Sequence, residues 1–138
     1  MGVSFNKVIV VGIGLIGGSI LKTIKELNMP FETYGVDLNE GVTKLAHNLG
    51  IIKNRDNKLE KIKDDCLIIF CVPSLAFEEA FKLVKDVFNK EKVIFTDTFS
   101  SKSDLLEFLE KNPEIKQSFV MSHPIAGSEK SGIANSVP

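Results

Sequence analysis

The sequence predicts an α/β fold in which a doubly wound, mostly parallel sheet carries helices on both faces. Short β-branched runs alternate with stretches of helical periodicity, and each strand–helix unit takes about 20 to 30 residues. Parallel neighbours need crossover connections, which helices supply. The chain has 138 residues, of which 43% are hydrophobic and 25% charged. These values are typical of one globular domain, expected over residues 1–138.

The strands are predicted from β-branched and apolar runs that end at turn residues. Lys7–Val11 is such a run and stops at Gly12, which is typical of a strand buried on both faces. Pro73 ends a second apolar run in the same way. Together the strands are predicted at residues 7–11, 33–37, 51–52, 66–72, 93–96 and 119–122.

The helices are predicted from apolar residues that recur every three and four positions. After Leu15 this pattern continues to Asn28, and Gly50 is expected to stop the second helix in a left-handed conformation. Ser101 and Asp104 have the spacing of a capping box. The helices are predicted at residues 15–28, 40–49, 77–88 and 102–111, with a short helix near 59–62.

The balanced charge argues against a nucleic-acid partner, and the short apolar stretches argue against a membrane span. The 17 basic and 18 acidic residues give a net charge of −1, so no nucleic-acid partner is expected. The longest apolar stretch, residues 8–21, contains four glycines and is shorter than the ~18 residues of a membrane span. Cys66 and Cys71 are the only cysteines, and they are expected to be unbridged, buried thiols in a reducing cytoplasm. No metal pattern is present.

A glycine pattern directly follows the first predicted strand. Residues 12–17 read G-I-G-L-I-G and lead straight into a helix, which is the context of a dinucleotide-binding turn in a Rossmann-type sheet. Gly12 would permit the tight turn, Gly14 the approach of a pyrophosphate, and Gly17 the close packing of helix on strand. The helix N-terminus would offer N–H groups to the phosphates.

Asp37 lies at the end of the second predicted strand, 20 positions after Gly17. A carboxylate there can accept hydrogen bonds from the adenosine ribose and repels a 2′-phosphate. Leu38 and Asn39 supply no positive charge beside it. NAD is therefore favoured over NADP, while a glycine turn next to a surface aspartate is the purely structural alternative.

A second group of polar residues follows the last two predicted strands. Asp97, Ser100 and Lys102 follow one strand. His123 follows the other, and Pro124 restricts its backbone. Both loops emerge at the carboxyl ends of the strands, where ligands bind in such sheets. A serine hydroxyl and an imidazole could therefore meet beside the nicotinamide. His47 falls on a helix and is expected to be structural.

Three segments together resemble the prephenate dehydrogenase family. They are G-I-G-L-I-G-G-S at 12–19, D-T-F-S-S-K at 97–102 and S-H-P-I-A-G-S-E-K-S-G at 122–132. The resemblance covers essentially the whole chain, and the last segment is the most specific. It implies a cytoplasmic, NAD-dependent enzyme that converts prephenate to 4-hydroxyphenylpyruvate by oxidative decarboxylation in tyrosine biosynthesis.

The resemblance also implies roles for individual residues. His123 matches the catalytic histidine that takes the proton of the substrate's ring hydroxyl, and Ser100 matches the serine that holds this histidine. Substrate contacts are expected from Ser128, Glu129 and Lys130. The expected cofactor-binding residues are Gly12, Gly14, Leu15, Ile16, Gly17, Asp37, Val72, Pro73 and Asp97.

Two departures from the family leave alternatives open. Family members continue into a helical domain that dimerises and contributes an arginine to the substrate, whereas this chain stops at Pro138 and Arg55 is its only arginine. We therefore expect the cofactor-binding half of a homodimeric enzyme. Phe99, in place of a small residue, could alter the nicotinamide pocket. The alternatives are an arogenate or cyclohexadienyl dehydrogenase and a non-catalytic NAD-binding module.

Overall fold

A computed structural model describes residues 4–122 and 136–138, and its centre is one sheet. The five strands lie in the order β2-β1-β3-β4-β5, and all four pairings are parallel. The predicted doubly wound, parallel sheet is therefore confirmed. The strands are β1 Lys7–Val11, β2 Glu32–Val36, β3 Cys66–Phe70, β4 Val93–Asp97 and β5 Phe119–Val120.

Helices cover both faces of this sheet. On one face α1 and α2 pack against Val8, Val10 and Ile69, and on the other α3 and α4 pack against Ile9 and Phe70. Alternate residues of each strand thus enter different cores, as expected for a sheet buried on both sides. The helices are α1 Leu15–Glu26, α2 Glu40–Asn48, α3 Phe77–Phe81, α4 Ser103–Lys111 and α5 Pro113–Lys116.

The register brings the carboxyl ends of four strands level with one another. Val11 pairs with Val36 on one side and with Phe70 on the other, and Phe70 in turn pairs with Asp97. The turns that follow these strands therefore emerge along one edge of the sheet. This is the edge at which parallel α/β sheets bind their ligands.

The strand predicted at 51–52 is wrong. Ile51 and Ile52 are buried in the core below α1 and α2, but they form no strand. The side chain of Asn54 occupies the outer edge of β2 instead. Its Nδ2 donates to the Gly35 carbonyl at 2.6 Å, and its Oδ1 accepts from the Gly35 N–H at 3.0 Å. A side-chain amide thus satisfies the backbone groups that another strand would have paired.

The helix predicted at 77–88 is shorter than expected, although its buried face is correct. Regular α-helix ends at Phe81, and i→i−3 bonds continue to Val87, for example from Val84 N–H to the Phe81 carbonyl at 3.0 Å. The predicted apolar residues Val84, Val87 and Phe88 are all buried. The spacing of three from Phe81 to Val84 and from Val84 to Val87 fits a tighter turn as well as an α-helix, so the pattern could not distinguish the two.

Three smaller predictions also need correction. Residues 59–62 are not helical, although Ile62 is buried. Ser101 and Asp104 form no capping box, because α4 begins one residue later than predicted and no side chain caps it. The last strand stops at Val120 rather than at 122. In the described ranges, no helix combines the length and the apolar character needed to cross a membrane.

Candidate cofactor and catalytic site

The glycine turn joins β1 to α1 at the carboxyl edge of the sheet. Gly12 has a φ of +96°, which only glycine adopts readily, and its N–H donates to the Val36 carbonyl at 2.8 Å. A Cβ at Gly12 would lie 2.8 Å from the backbone nitrogen of Val72. The turn is therefore held tightly between β2 and the segment that follows β3.

The other two glycines of the motif have different surroundings. A Cβ at Gly17 would lie 2.1 Å from the carbonyl oxygen of Gly12, so only glycine lets α1 pack this close to the turn. A Cβ at Gly14 would meet nothing within 4 Å. Gly14 is also the residue before α1, and it has no side chain to cap the helix. Open space therefore lies beside N–H groups that a helix leaves unpaired, which suits a phosphate.

Asp37 follows β2 and faces this turn. Its Oδ2 accepts a hydrogen bond from the N–H of Ile13 at 2.8 Å, and its Oδ1 accepts one from Asn39 N–H at 2.9 Å. The backbone of Asp37 is held by Asn57, whose Nδ2 donates to the Asp37 carbonyl at 2.7 Å and whose Oδ1 accepts from its N–H at 3.2 Å. The structure thus places the predicted ribose-binding carboxylate directly beside the glycine turn.

Val72 and Pro73 follow β3 on the other side of the turn. The N–H of the preceding Cys71 donates to the Val11 carbonyl at 2.7 Å, which keeps this segment alongside the end of β1. Val72 is buried and Pro73 exposed. The predicted cofactor residues of β1, β2 and β3 are therefore brought together.

Asp97 ends β4 and is completely buried, with 0% exposure. Its Oδ2 accepts from the N–H of Phe99 at 3.0 Å and forms an ion pair with Lys102 Nζ. Its Oδ1 accepts from the N–H of Ser122 at 3.1 Å. Predicted as a cofactor residue, Asp97 connects the loop after β4 to the chain after β5.

Ser100 and Phe99 are neighbours in that loop but differ in exposure to solvent. Ser100 is exposed, whereas Phe99 is 3% exposed and its ring packs edge-on against Phe77 with 5.8 Å between centroids. The side chain of Phe99 is thus part of the hydrophobic core. The predicted catalytic His123 and the predicted substrate residues Ser128, Glu129 and Lys130 lie outside the described residues.

The described structure resumes at Ser136, which lies against α1. Lys22 Nζ donates to the Ser136 carbonyl at 2.9 Å, and the N–H of Val137 donates to Ser19 Oγ at 3.1 Å. Ser136 is buried. Ser122 is therefore anchored at the loop after β4. Ser136 is anchored on α1, the helix that begins at the glycine turn.

Sequence reasoning missed the contacts by which three residues hold this edge together. Asn57 fixes the backbone of Asp37, and Lys102 and Ser122 bind Asp97. Lys102 was recognised among the polar residues after the strand, but not as a partner of Asp97. Ser122 was named only as the first residue of the last of the three segments that carry the family resemblance. No sequence signal pointed to Asn57, because its partner lies 20 residues away in the chain.

A cleft of about 520 Å³ lies at the opposite edge of the sheet. It is lined by Lys7 at the start of β1 and by the segment 58–64, and none of the predicted site residues contributes to it. Its charges are partly paired, since Lys7 and Lys53 both bind Glu32. Ligands of parallel sheets bind at the other edge, so we do not assign the cofactor to this cleft. In the part of the chain that is described, no three His, Cys, Asp or Glu side chains form a metal-binding group.

A family of known proteins matches most of this chain. The family model described as "Prephenate dehydrogenase, nucleotide-binding domain" matches residues 20–138. The chain belongs to this family. The family resemblance predicted from the sequence motifs is thereby confirmed.

Individual relatives give the same result. A prephenate dehydrogenase of Lactococcus lactis is 34% identical over 129 residues, which cover 93% of this chain and 36% of the relative. A cyclohexadienyl dehydrogenase of Zymomonas mobilis is 29% identical, covering 93% of this chain and 43% of the relative.

Among solved structures, the prephenate dehydrogenase of A. aeolicus in complex with hydroxyphenyl propionate and NAD+ superposes with a TM-score of 0.76. It is 28% identical, and the match covers 99% of this chain and 48% of that one. The chain thus spans between about a third and a half of the length of these relatives. The predicted Rossmann-type fold is confirmed.

Proposed function

We propose that this chain binds NAD as the cofactor-binding half of a prephenate dehydrogenase. The observation that carries the proposal is the glycine turn, in which Gly14 leaves open space at the start of α1 beside the carboxylate of Asp37. Membership of the family and the NAD+ held by the A. aeolicus relative support it. Among the other predicted cofactor contacts, Leu15 and Ile16 lie within the same motif, and Val72 and Pro73 lie beside it.

The residues present fit a dinucleotide. The first N–H groups of α1 would bind the pyrophosphate next to Gly14. Asp37 would accept hydrogen bonds from the adenosine ribose, giving up or sharing its bond with Ile13 N–H. Asp97 would contribute through the loop that it holds, because its own carboxylate is buried. NAD would supply the acceptor for the substrate's hydride.

The proposed reaction needs a base more than a strong electrophile. His123 would take the proton from the ring hydroxyl of prephenate, since an imidazole is near its pKa at neutral pH. Ser100 would hold the histidine in place. Ser128, Glu129 and Lys130 would position the substrate. Loss of carbon dioxide then makes the ring aromatic, so placement of the substrate supplies much of the rate.

The decisive experiment combines two measurements. Calorimetric titration of this chain should detect binding of NAD and much weaker binding of NADP. The protein at its full encoded length should produce NADH from prephenate. His123→Asn should retain NAD binding and lower kcat by about 10²- to 10⁴-fold, because it removes the base.

His47→Asn is the matched control, since His47 lies in α2, and it should leave kcat unchanged. A folded full-length protein that binds NAD without turning over prephenate or arogenate would instead support the non-catalytic module. Absence of NAD binding would contradict both readings.

A second substrate is favoured by one relative. The 29% identical protein of Zymomonas mobilis is a cyclohexadienyl dehydrogenase. Steady-state kinetics of the full-length protein with prephenate and with arogenate will show which of the two substrates it prefers. A clear preference for prephenate would exclude the arogenate or dual-specificity alternative.

We also propose that the full-length protein is a cytoplasmic homodimer. The family resemblance supports the dimer. Cys66 and Cys71 support the compartment, since both are free thiols. Burial raises the pKa of Cys66 to about 11 and that of Cys71 to about 12, so both remain protonated and unreactive near neutral pH. Light scattering of the full-length protein tests the dimer, and fractionation of cells tests the location.

A further inference from the structure

The buried carboxylate of Asp97 is fully engaged in hydrogen bonding. One oxygen binds Lys102 Nζ and the N–H of Phe99, and the other binds the N–H of Ser122. A buried charge is costly unless it is paired and hydrogen-bonded. Both conditions are met here, so the carboxylate can hold two loops in one fixed arrangement.

Lys102 connects the same two loops from the other side. Its Nζ donates to Asp97 Oδ2, to the Phe99 carbonyl at 2.6 Å and to the Ser122 carbonyl. An ammonium group has three N–H donors, and each has an acceptor here. The N–H of Ser122 is therefore held by Asp97, while its C=O is held by Lys102.

Ser122 contributes further bonds through its hydroxyl group. Its Oγ donates to the backbone carbonyl of Asp97 and lies 3.1 Å from Thr96 Oγ1. These bonds replace the strand ladder, which stops at Val120. The chain after β5 is thus fixed by side chains of β4 and of the loop that follows it.

From this arrangement we propose that Asp97 and Lys102 are positioning residues for His123. The Ser122 carbonyl belongs to the same planar peptide unit as the nitrogen of His123. A bond to that carbonyl therefore fixes the peptide unit that leads into residue 123. This inference rests on the proposed function, since it presumes that His123 is the catalytic base.

A competing role for Lys102 is direct binding of a substrate carboxylate. The geometry disfavours it, because each N–H of the ammonium group already has a protein acceptor and the side chain is only 25% exposed. The two roles predict different kinetics. A substrate contact that is lost raises the KM for prephenate, whereas a misplaced base lowers kcat.

The test uses a double variant, Asp97→Asn with Lys102→Met, which removes both charges and leaves neither buried alone. In this chain, NMR should show hydrogen exchange at the Ser122 amide about tenfold faster or more, because its bond to a charged acceptor is lost. In the full-length protein, kcat should fall by about 10- to 100-fold with an unchanged KM for prephenate.

Two further variants complete the experiment. Lys111→Met is the matched control, since Lys111 lies on α4 and forms only an exposed ion pair at 3.4 Å with Glu107. It should change neither exchange nor kcat. If the double variant does not fold, Lys102→Arg replaces it. Arginine keeps a charge facing Asp97 but cannot reproduce the three-acceptor geometry, so kcat should still fall and Ser122 should still exchange faster.

Several results would overturn the proposal. Wild-type exchange at Ser122 together with wild-type kcat would show that the pair does not hold this segment. A raised KM for prephenate with an unchanged kcat would assign Lys102 to the substrate. If the wild-type protein does not turn over prephenate, the proposed function fails. Hydrogen exchange then decides on its own whether the pair anchors the segment.

Discussion

At the scale of single residues, the glycine motif combines two requirements that look identical in the sequence. The fold requires glycine at position 17, because a Cβ there would lie 2.1 Å from the Gly12 carbonyl oxygen. Packing does not require glycine at position 14, because a Cβ there would point into open space. The spacing of the motif predicts both glycines, but only the structure separates their roles.

A pair of alanine variants tests this separation. Gly17→Ala should destabilise the chain by about 1–3 kcal/mol or more, because backbone atoms must move to admit the methyl group. Gly14→Ala should unfold at nearly the wild-type temperature while binding NAD more weakly, because the methyl group occupies the space proposed for the pyrophosphate. Thermal unfolding and calorimetric titration of both variants provide the measurement. Equal losses of stability in the two variants would contradict the distinction.

At the scale of elements, periodicity predicted which segments are buried better than it predicted how they bond. β1, β2, α1 and α2 were predicted to within a residue or two. Ile51 and Ile52 are buried but do not form the predicted strand, and the edge of β2 is completed by the amide of Asn54 instead. A two-residue apolar run carries too little periodicity to specify a ladder.

The opposite end of β2 offers a test by pH. Glu32 begins β2 and binds Lys53 at 2.7 Å as well as Lys7, and these hydrogen bonds hold its pKa at about 2, below the ordinary 4.5. Its ion pairs therefore stabilise the fold above pH 4.5, and this contribution decreases as the pH falls towards 2. Because its side chain is 41% exposed, the contribution should be below about 1 kcal/mol.

Glu32→Gln should accordingly lower the free energy of unfolding at pH 7, and its difference from wild type should shrink below pH 4.5. Chemical denaturation at several pH values measures both effects. Glu107→Gln is the control, because its pair with Lys111 is longer and more exposed. A difference that stays constant down to pH 2 would exclude the ion pairs as its cause.

At the scale of the whole molecule, the parallel register turns distant segments into one site. The ends of β1, β2, β3 and β4 are level, so the turns at Gly12, Asp37, Val72 and Thr98 share an edge although they are spread over most of the chain. All of them belong to the described domain. A ligand that contacts several of these turns should therefore stabilise the folded state as a unit.

NAD should raise the unfolding temperature of this chain. NAD at 100 times its Kd should raise the free energy of unfolding by about 2.7 kcal/mol, which corresponds to a rise in Tm of about 5–15 °C for a domain of this size. Scanning calorimetry with NAD, and with NADP at the same concentration, measures the shift. The shift should be much smaller with NADP, because Asp37 repels a 2′-phosphate, and equal shifts would contradict that role.

The sequence by itself determined the fold class, the glycine turn with its acidic partner, and the family. These features depend on residue type and on short spacings, which a local pattern records directly. Only the tertiary structure decided that Asn57 holds Asp37, and that Asp97 and Lys102 hold Ser122. These contacts join a side chain to a backbone group as many as 25 positions away. Such partners are chosen by which strand lies beside which, and that order arises when the sheet assembles.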